Sequence, residues 1–148
     1  MFRGSSPHTL DEKGRLVIPS RFREVIRAGG GDVAMLTQWD KSVYGYTLSE
    51  WSKVEERILS MSDKSDTVRR FRRFFVGSAQ ECPFDRQGRV LIPPALRKYA
   101  SLDKEIVLVG DLNHFEIWSK DNWELANKAI EDDMQKLEVR NEIAQLGI

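Results

Sequence analysis

Residues 11–23 read DEKGRLVIPSRFR, and residues 85–97 read DRQGRVLIPPALR. Both spell D-x-x-G-R, two aliphatics, I-P, and an Arg four residues past the Pro, at a separation of 74 residues. The echo extends outward. Phe2-Arg3-Gly4-Ser5 matches Phe75-Val76-Gly77-Ser78 at an offset of 73, and Leu10 and Phe84 each stand just before the Asp. Tyr46, Trp51 and Ile58 return as Trp118, Trp123 and Ile130 at an offset of 72. Offsets that drift this little need only small loop insertions, so the chain is two diverged copies of one unit. Two copies fall short of a solenoid, which usually needs three or more. The physical expectation is a pseudo-two-fold pair, each half burying the face the other exposes. The units are residues 1–67 and residues 68–148, the second opening on a linker helix.

Within D-x-x-G the Asp suits the first position of a type I turn, and the Gly supplies a positive φ. That combination predicts a three-residue hairpin loop closed by a glycine bulge. Strands are expected at 6–10 and 15–18 around the first turn, and at 79–84 and 89–92 around the second. Leu16-Val17-Ile18 and Val90-Leu91-Ile92 are unbroken apolar runs, which predicts strands buried on both faces, as in a small closed barrel. Pro19 and Pro93 then end the strand and open a short helix. Phe22, Val25 and Ile26 give the first such helix an apolar side, as Leu96 and Tyr99 do the second. Further strands follow at 33–37 and 43–47, and at 106–109 and 115–118. Ser49 and Ser119 are placed to cap longer helices. In the C-terminal one, Trp123, Ala126, Ile130, Met134 and Leu137 fall on one face. Between the halves, Val68, Phe71 and Phe75 share a helical face with Phe74 beside it, Arg69, Arg70 and Arg73 lie opposite, and Gly77 breaks the helix. The fold class is α+β: a small β-barrel core from two equivalent halves, with flanking helices.

At 148 residues the chain is one domain or two very small ones, and its 41% hydrophobic and 31% charged residues are ordinary for a globular protein. No apolar run approaches the roughly 18 residues of a membrane span, and the N-terminus lacks the apolar core of a signal peptide. A lone cysteine, Cys82, makes no internal disulfide and points to a reducing cytoplasm. The formal net charge is zero, but it is unevenly spread. Residues 1–31 carry +3 and residues 68–98 carry +6, against −3, −2 and −4 for 32–67, 99–115 and 116–148. Both copies of the motif therefore sit in basic blocks, and a partner feels that distribution rather than the total.

At the hairpin tips the exposed side chains are Glu12-Lys13 and Arg86-Gln87, with Arg15 and Arg89 just behind the glycine. Asp and Gly are standard turn residues, and Asp11 and Asp85 account for the turns by themselves. In the structural reading the arginines merely pair with those aspartates. Turn formation does not require an Arg after the Gly twice over, however. A guanidinium presents a planar fork to guanine edges or phosphate, and a β-ribbon fits the major groove. His8, His114 and Cys82 have no metal-ligand spacing, so no metal is expected. Ser5, Ser6 and Ser78 have no His and Asp placed to activate them, and GGG at 29–31 reads as a turn rather than a phosphate loop. No catalytic residue, cofactor or small-molecule substrate is expected. Two function classes come ahead of an enzyme: a DNA-binding regulator first, then an interaction scaffold built on the basic, apolar linker helix.

D-x-x-G-R-x-x-I-P, preceded by F-x-G and repeated after an R-R-F-x-R-F-F-x-G linker, resembles the MraZ family. The matching pieces are residues 1–4, 11–19, 69–77 and 85–93, so the resemblance runs nearly end to end. It implies two AbrB-like, swapped-hairpin halves per chain and a cytoplasmic, nucleoid-associated transcription factor. It further implies repression at the promoter of a bacterial cell-division and cell-wall gene cluster, by ring-like homo-oligomers reading tandem direct repeats in double-stranded DNA. Carried over by position, the DNA-contacting set is Lys13, Gly14 and Arg15 in the first half and Arg86, Gly88 and Arg89 in the second, with Arg3 added by its nearness to the strand start.

Overall fold

The computed structural model describes residues 1–61 and 64–148. The described residues form eight strands and six helices. The first half runs β1 (Ser5–Thr9), β2 (Arg15–Val17), α1 (Ser20–Ala28), β3 (Val33–Trp39), β4 (Ser42–Tyr46) and α2 (Leu48–Leu59). After α3 (Asp66–Phe75) the same order returns as β5 (Gln80–Pro83), β6 (Arg89–Leu91), α4 (Pro94–Tyr99), β7 (Glu105–Asp111), β8 (His114–Ser119) and α5 (Lys120–Asp133), and α6 (Leu137–Ala144) ends the chain. The class is α+β, as the sequence predicts.

The strands form a six-stranded antiparallel sheet in the order β1-β7-β8-β4-β3-β5, and β2 pairs with β6 as a separate two-stranded ribbon. The two halves are interleaved. β1 lies along β7 of the second half, and β5 of the second lies along β3 of the first. Two rungs join residues to their own repeat equivalents, Leu16 to Val90 and Tyr44 to Glu116. Such self-pairing places the pseudo-two-fold axis through both rungs.

Three expectations need correction. The ladder does not close into a barrel. β1 and β5 are sheet edges, and among the described residues an isolated bridge links Phe84, just past β5, to Val90 of the ribbon. The apolar runs of β2 and β6 are not buried on both faces either: Leu16, Ile18, Val90 and Ile92 are buried, but Val17 is 54% and Leu91 51% exposed. The ribbon covers the sheet with one face only, so burial alternates even where hydrophobicity does not. Third, the cap of α2 is Thr47, whose hydroxyl accepts the Glu50 N–H at 3.0 Å, and Ser49 lies inside the first turn. Ser119 caps α5 as expected, accepting the Asn122 N–H at 3.1 Å.

The inner core lies between sheet and ribbon. Phe22 and Ile26 of α1, Leu96 of α4, Leu36, Val43, Leu108 and Ile117 of the sheet, and Phe2 all join it. On the outer face, Met35, Tyr46, Trp51, Ile58 and Phe75 form a second cluster where α2 and α3 cover the first half. There Thr37 donates its hydroxyl to the Phe75 carbonyl at 2.5 Å, and Trp39 meets Phe71, Phe74 and Phe75 edge-on. The C-terminal apolar face spans α5 and α6, which break at 134–136 after Glu131, Asp132 and Asp133, where acidic charge opposes the helix dipole. Neither helix has a buried residue.

Gly45 stands opposite Phe115 across β4 and β8, and a Cβ there would lie 2.2 Å from the ring's Cζ. The ring is fully buried against Phe2 and Phe22, so it has nowhere to retreat. Gly45→Ala is therefore expected to cost about 1–3 kcal/mol through overpacking. In urea this should lower the unfolding midpoint at an unchanged m-value.

Candidate nucleic-acid interface

Each motif builds the same tip. Asp11 Oδ1 accepts the N–H groups of Lys13 and Arg15 at 3.0 and 2.8 Å, and its Oδ2 accepts Arg15 Nε at 2.6 Å. Gly14 donates its N–H to the Asp11 carbonyl at φ 85°, and Asp11 donates to the Arg15 carbonyl. The second tip repeats this: Asp85 accepts from Gln87 and Arg89 N–H at 2.9 Å each and from Arg89 Nε at 2.7 Å, with Gly88 at φ 72°. These are the expected glycine-bulge turns. The flanking strands do not stay paired as hairpins, because β1 departs at once to β7 and β2 to β6.

The carboxylates are strongly solvated by the chain itself. The Arg15 N–H does most to hold the Asp11 pKa below its ordinary value; partial burial opposes it, and the Arg15 side chain and Lys13 N–H add to it. Asp85 is lowered in the same way, first by the Arg89 N–H.

The ribbon brings both arginines to one surface. Arg15 lies opposite Leu91 and Arg89 opposite Val17, on the face away from buried Leu16 and Val90. They are diagonal neighbours, typically about 7–8 Å apart in such a pair. Asp11 and Asp85 take only the Nε atoms, and the Nη groups of Arg15 and Arg89 make no hydrogen bond among the described residues. Lys13 and Arg86 are exposed at the tips. Gly14 and Gly88 are buried there, their N–H groups held by the aspartate carbonyls and their carbonyls by the N–H groups of Ile92 and Ile18. They shape the tips from within. Arg3 precedes β1, and the five-residue strand, about 17 Å long, stands between it and the first tip.

Two further residues belong to this surface and carry no role in the sequence reading. Arg23 packs over Gly88 and Arg97 over Gly14, each from the opposite half. The signal was present as the Arg four residues past each Pro.

The structure gathers Asp111, His114 and Glu116, which sequence spacing does not suggest, with candidate ligand atoms within 4.8 Å of one another. Their bonds are already made: His114 Nε2 lies 2.7 Å from Glu116 Oε2, and Trp118 donates to Glu116 Oε1 at 2.9 Å. Burial pushes the Glu116 pKa up, but hydrogen bonds from His114, Trp118 and Tyr44 outweigh it and the carboxyl ends below its ordinary value. This is a hydrogen-bonded His–Glu pair on the pseudo-two-fold axis. Burial pushes the Cys82 thiol up to about 11, away from the reactive thiolate. No described helix is long and apolar enough to cross a membrane.

A family model described as "MraZ protein, putative antitoxin-like" matches the chain twice, over residues 1–74 and 75–141. The "Transcriptional regulator MraZ" of Desulforapulum autotrophicum is 55% identical over 148 residues, covering all of both chains. The protein of the same name from Desulfosudis oleivorans is 52% identical over the same full length. That of Syntrophobacter fumaroxidans is 43% identical over 136 residues, 92% of this chain and 91% of its own.

Because the folded pKa values of Asp11 and Asp85 lie below the unfolded ones, the order they confer is complete above the unfolded value, about pH 3.9. It is lost as pH falls through the lowered folded values. NMR titration should give midpoints below about 3.9 for the amides of Lys13, Arg15, Gln87 and Arg89. Asp11→Asn should erase the transition at the first tip and spare it at the second.

Proposed function

We propose a DNA-binding, transcription-regulating function for this chain, which belongs to the MraZ family. The relatives' shared name, "Transcriptional regulator MraZ", supports the regulatory part of the reading. The observation that carries the DNA-binding part is the pair of D-x-x-G-R tips on one ribbon, with the Nη groups of Arg15 and Arg89 making no hydrogen bond among the described residues. A β-ribbon is narrow enough for the major groove, and an arginine fork suits guanine O6/N7 or a phosphate. In this reading Lys13, Arg15, Arg86 and Arg89 touch the DNA. Gly14 and Gly88 let the backbone turn, and Asp11 and Asp85 fix the arginines. The chain is read as two AbrB-like halves, residues 1–67 and 68–148, acting in the cytoplasm at the nucleoid. Its proposed target is the promoter of a cell-division and cell-wall gene cluster, which it represses.

Assembly is the second element of the proposal. Within the chain, Trp39, Tyr46 and Trp51 pack against Phe71 and Phe75 of the linker helix, whereas Phe74 and Val76 are exposed. The helix also has a basic side. Arg70, Arg72 and Arg73 form no ion pair with the acidic α5 and α6 among the described residues. Leu125, Ile130, Met134 and Leu137 on those helices are exposed. Pairing α3 of one subunit with α5 and α6 of the next is heterologous and closes into a ring. A ring carries many tips, so engaging several operator boxes becomes intramolecular and gains avidity.

The direct experiment is a gel shift with the DNA just upstream of the protein's own gene, titrated with salt. A complex whose affinity falls steeply with salt is expected. Duplex affinity that ignores salt would favour a scaffold instead. Arg15→Ala and Arg89→Ala should each weaken specific binding by about 1–3 kcal/mol with little change in melting temperature. A large drop in melting would assign the arginines to fold stability alone. Operator boxes should recur about every 10 base pairs, and moving one box by half a turn should harm binding far more than a full turn does. Indifference to spacing, or a monomer by light scattering, would remove the ring.

A further inference from the structure

We infer that Arg23 and Arg97 are crossed positioning residues, each holding the DNA-reading tip of the opposite half. This inference rests on the tip reading proposed above. A Cβ built on Gly14 would lie 2.4 Å from Arg97 Cζ and 2.6 Å from its Nε and Nη1. One built on Gly88 would lie 2.3 Å from Arg23 Nη1 and 2.7 Å from its Cζ. Each guanidinium therefore occupies the space that a side chain on the tip residue would fill. The glycine serves two ends: it adopts the positive φ of the turn, and it lets a planar group lie against the tip.

The contact is part of a closed arrangement. Gly14 accepts the Ile92 N–H at 3.1 Å, and Ile92 in turn accepts Arg97 Nε at 2.9 Å. Tip one is thus held by the second half through a backbone bond and a side chain that are themselves bonded together. At tip two, Gly88 accepts the Ile18 N–H at 3.1 Å, and Arg23 packs over it with its Nε buried and unpartnered. Arg23 and Arg97 are both partly buried, and each sits four residues past a Pro that starts a short helix. The helices α1 and α4 are anchored in the core by Phe22, Ile26 and Leu96. Each brace therefore transmits the position of one half's core to the other half's tip. The last Arg of D-x-x-G-R-x-x-I-P-x-x-x-R answers the Gly of the other copy, not of its own.

The test is hydrogen exchange and salt-titrated DNA binding on full-length Arg97→Ala, Arg23→Ala and Arg15→Ala. Arg97→Ala should speed exchange at Lys13 and Arg15 by about fivefold or more and leave Gln87 and Arg89 unchanged, and Arg23→Ala should do the reverse; fivefold is the low end of usual coupling between sites. Operator affinity should fall by about the same factor in both, with the slope of log K against log salt unchanged. A slope reduced by about one in either variant, with exchange unaltered, would mean that the arginine touches phosphate itself, and would overturn the brace. Loosening confined to the substituted half would also overturn it. Arg97→Lys, which keeps the charge but neither the plane nor the Nε–H, should loosen tip one likewise and replaces Arg97→Ala if that variant does not fold. If Arg15→Ala binds operator like the parent, the tip reading fails, and the crossed exchange pattern still decides the brace.

Discussion

Two backbone hydrogen bonds hold the arrangement on which everything else depends: Ile92 N–H to the Gly14 carbonyl, and Ile18 N–H to the Gly88 carbonyl. With the three rungs between Arg15–Val17 and Arg89–Leu91, they sew one half's motif to the other's. Without them, β2 and β6 would be two short flaps, each with an unsatisfied edge. With them, the ribbon becomes a lid whose inner face carries Leu16, Ile18, Val90 and Ile92 into the core. Its outer face holds Arg15 and Arg89 in a fixed mutual position. Folding the core and assembling the proposed binding surface are one event.

That coupling bears on the two roles considered for the arginines. A structural ion pair and a DNA contact look like competing readings of Asp-x-x-Gly-Arg. The proposed DNA contact is compatible with the ion pair, because the aspartate takes Nε and the Nη groups make no hydrogen bond among the described residues. An arginine already held at one nitrogen has less rotamer freedom to lose on binding, and binding is favoured by that preorganisation. The aspartate carboxylate is in turn stabilised in its charged form by three donors from its own turn. Each residue of the motif thus depends on its neighbours for its conformation.

The parts legible in the sequence were the local ones. The glycine-bulge turns follow from Asp and Gly, the helix starts from Pro19 and Pro93, and the α5 cap from Ser119, because each depends on a few adjacent residues. The doubled unit was legible because similar residues recur at nearly constant offset. What escaped was non-local. Leu16-Val17-Ile18 says that the segment is apolar, not how many of its faces meet other atoms, so a closed barrel was expected where an open sheet carries a one-faced ribbon. Which half receives β1 is likewise invisible, since two similar copies offer nearly the same edge. Arg23 and Arg97 stood in the repeated motif, but their contacts are made across it, beyond the reach of any spacing argument. Asp111, His114 and Glu116 gather because β7 and β8 meet in a tight turn and burial selects their partners.

The symmetry is itself unequal. Around the ribbon the two halves agree closely, with matching turns, matching Asp–Arg pairs and an axis through Leu16 and Val90. On the outer face they differ. The first half is covered by α2 and α3 through Trp51, Phe71 and Phe75, whereas α5 and α6 bury none of their residues. A chain with perfect two-fold symmetry would offer the same patch twice and would tend to pair with itself in isologous fashion. A head-to-tail ring needs two different patches on each subunit. Divergence after duplication supplies that difference: a basic α3 docked on the first half, and an acidic, apolar helical pair left uncovered on the second. Similarity is kept at the face proposed to meet repetitive DNA, and lost at the faces proposed to meet other copies of the chain.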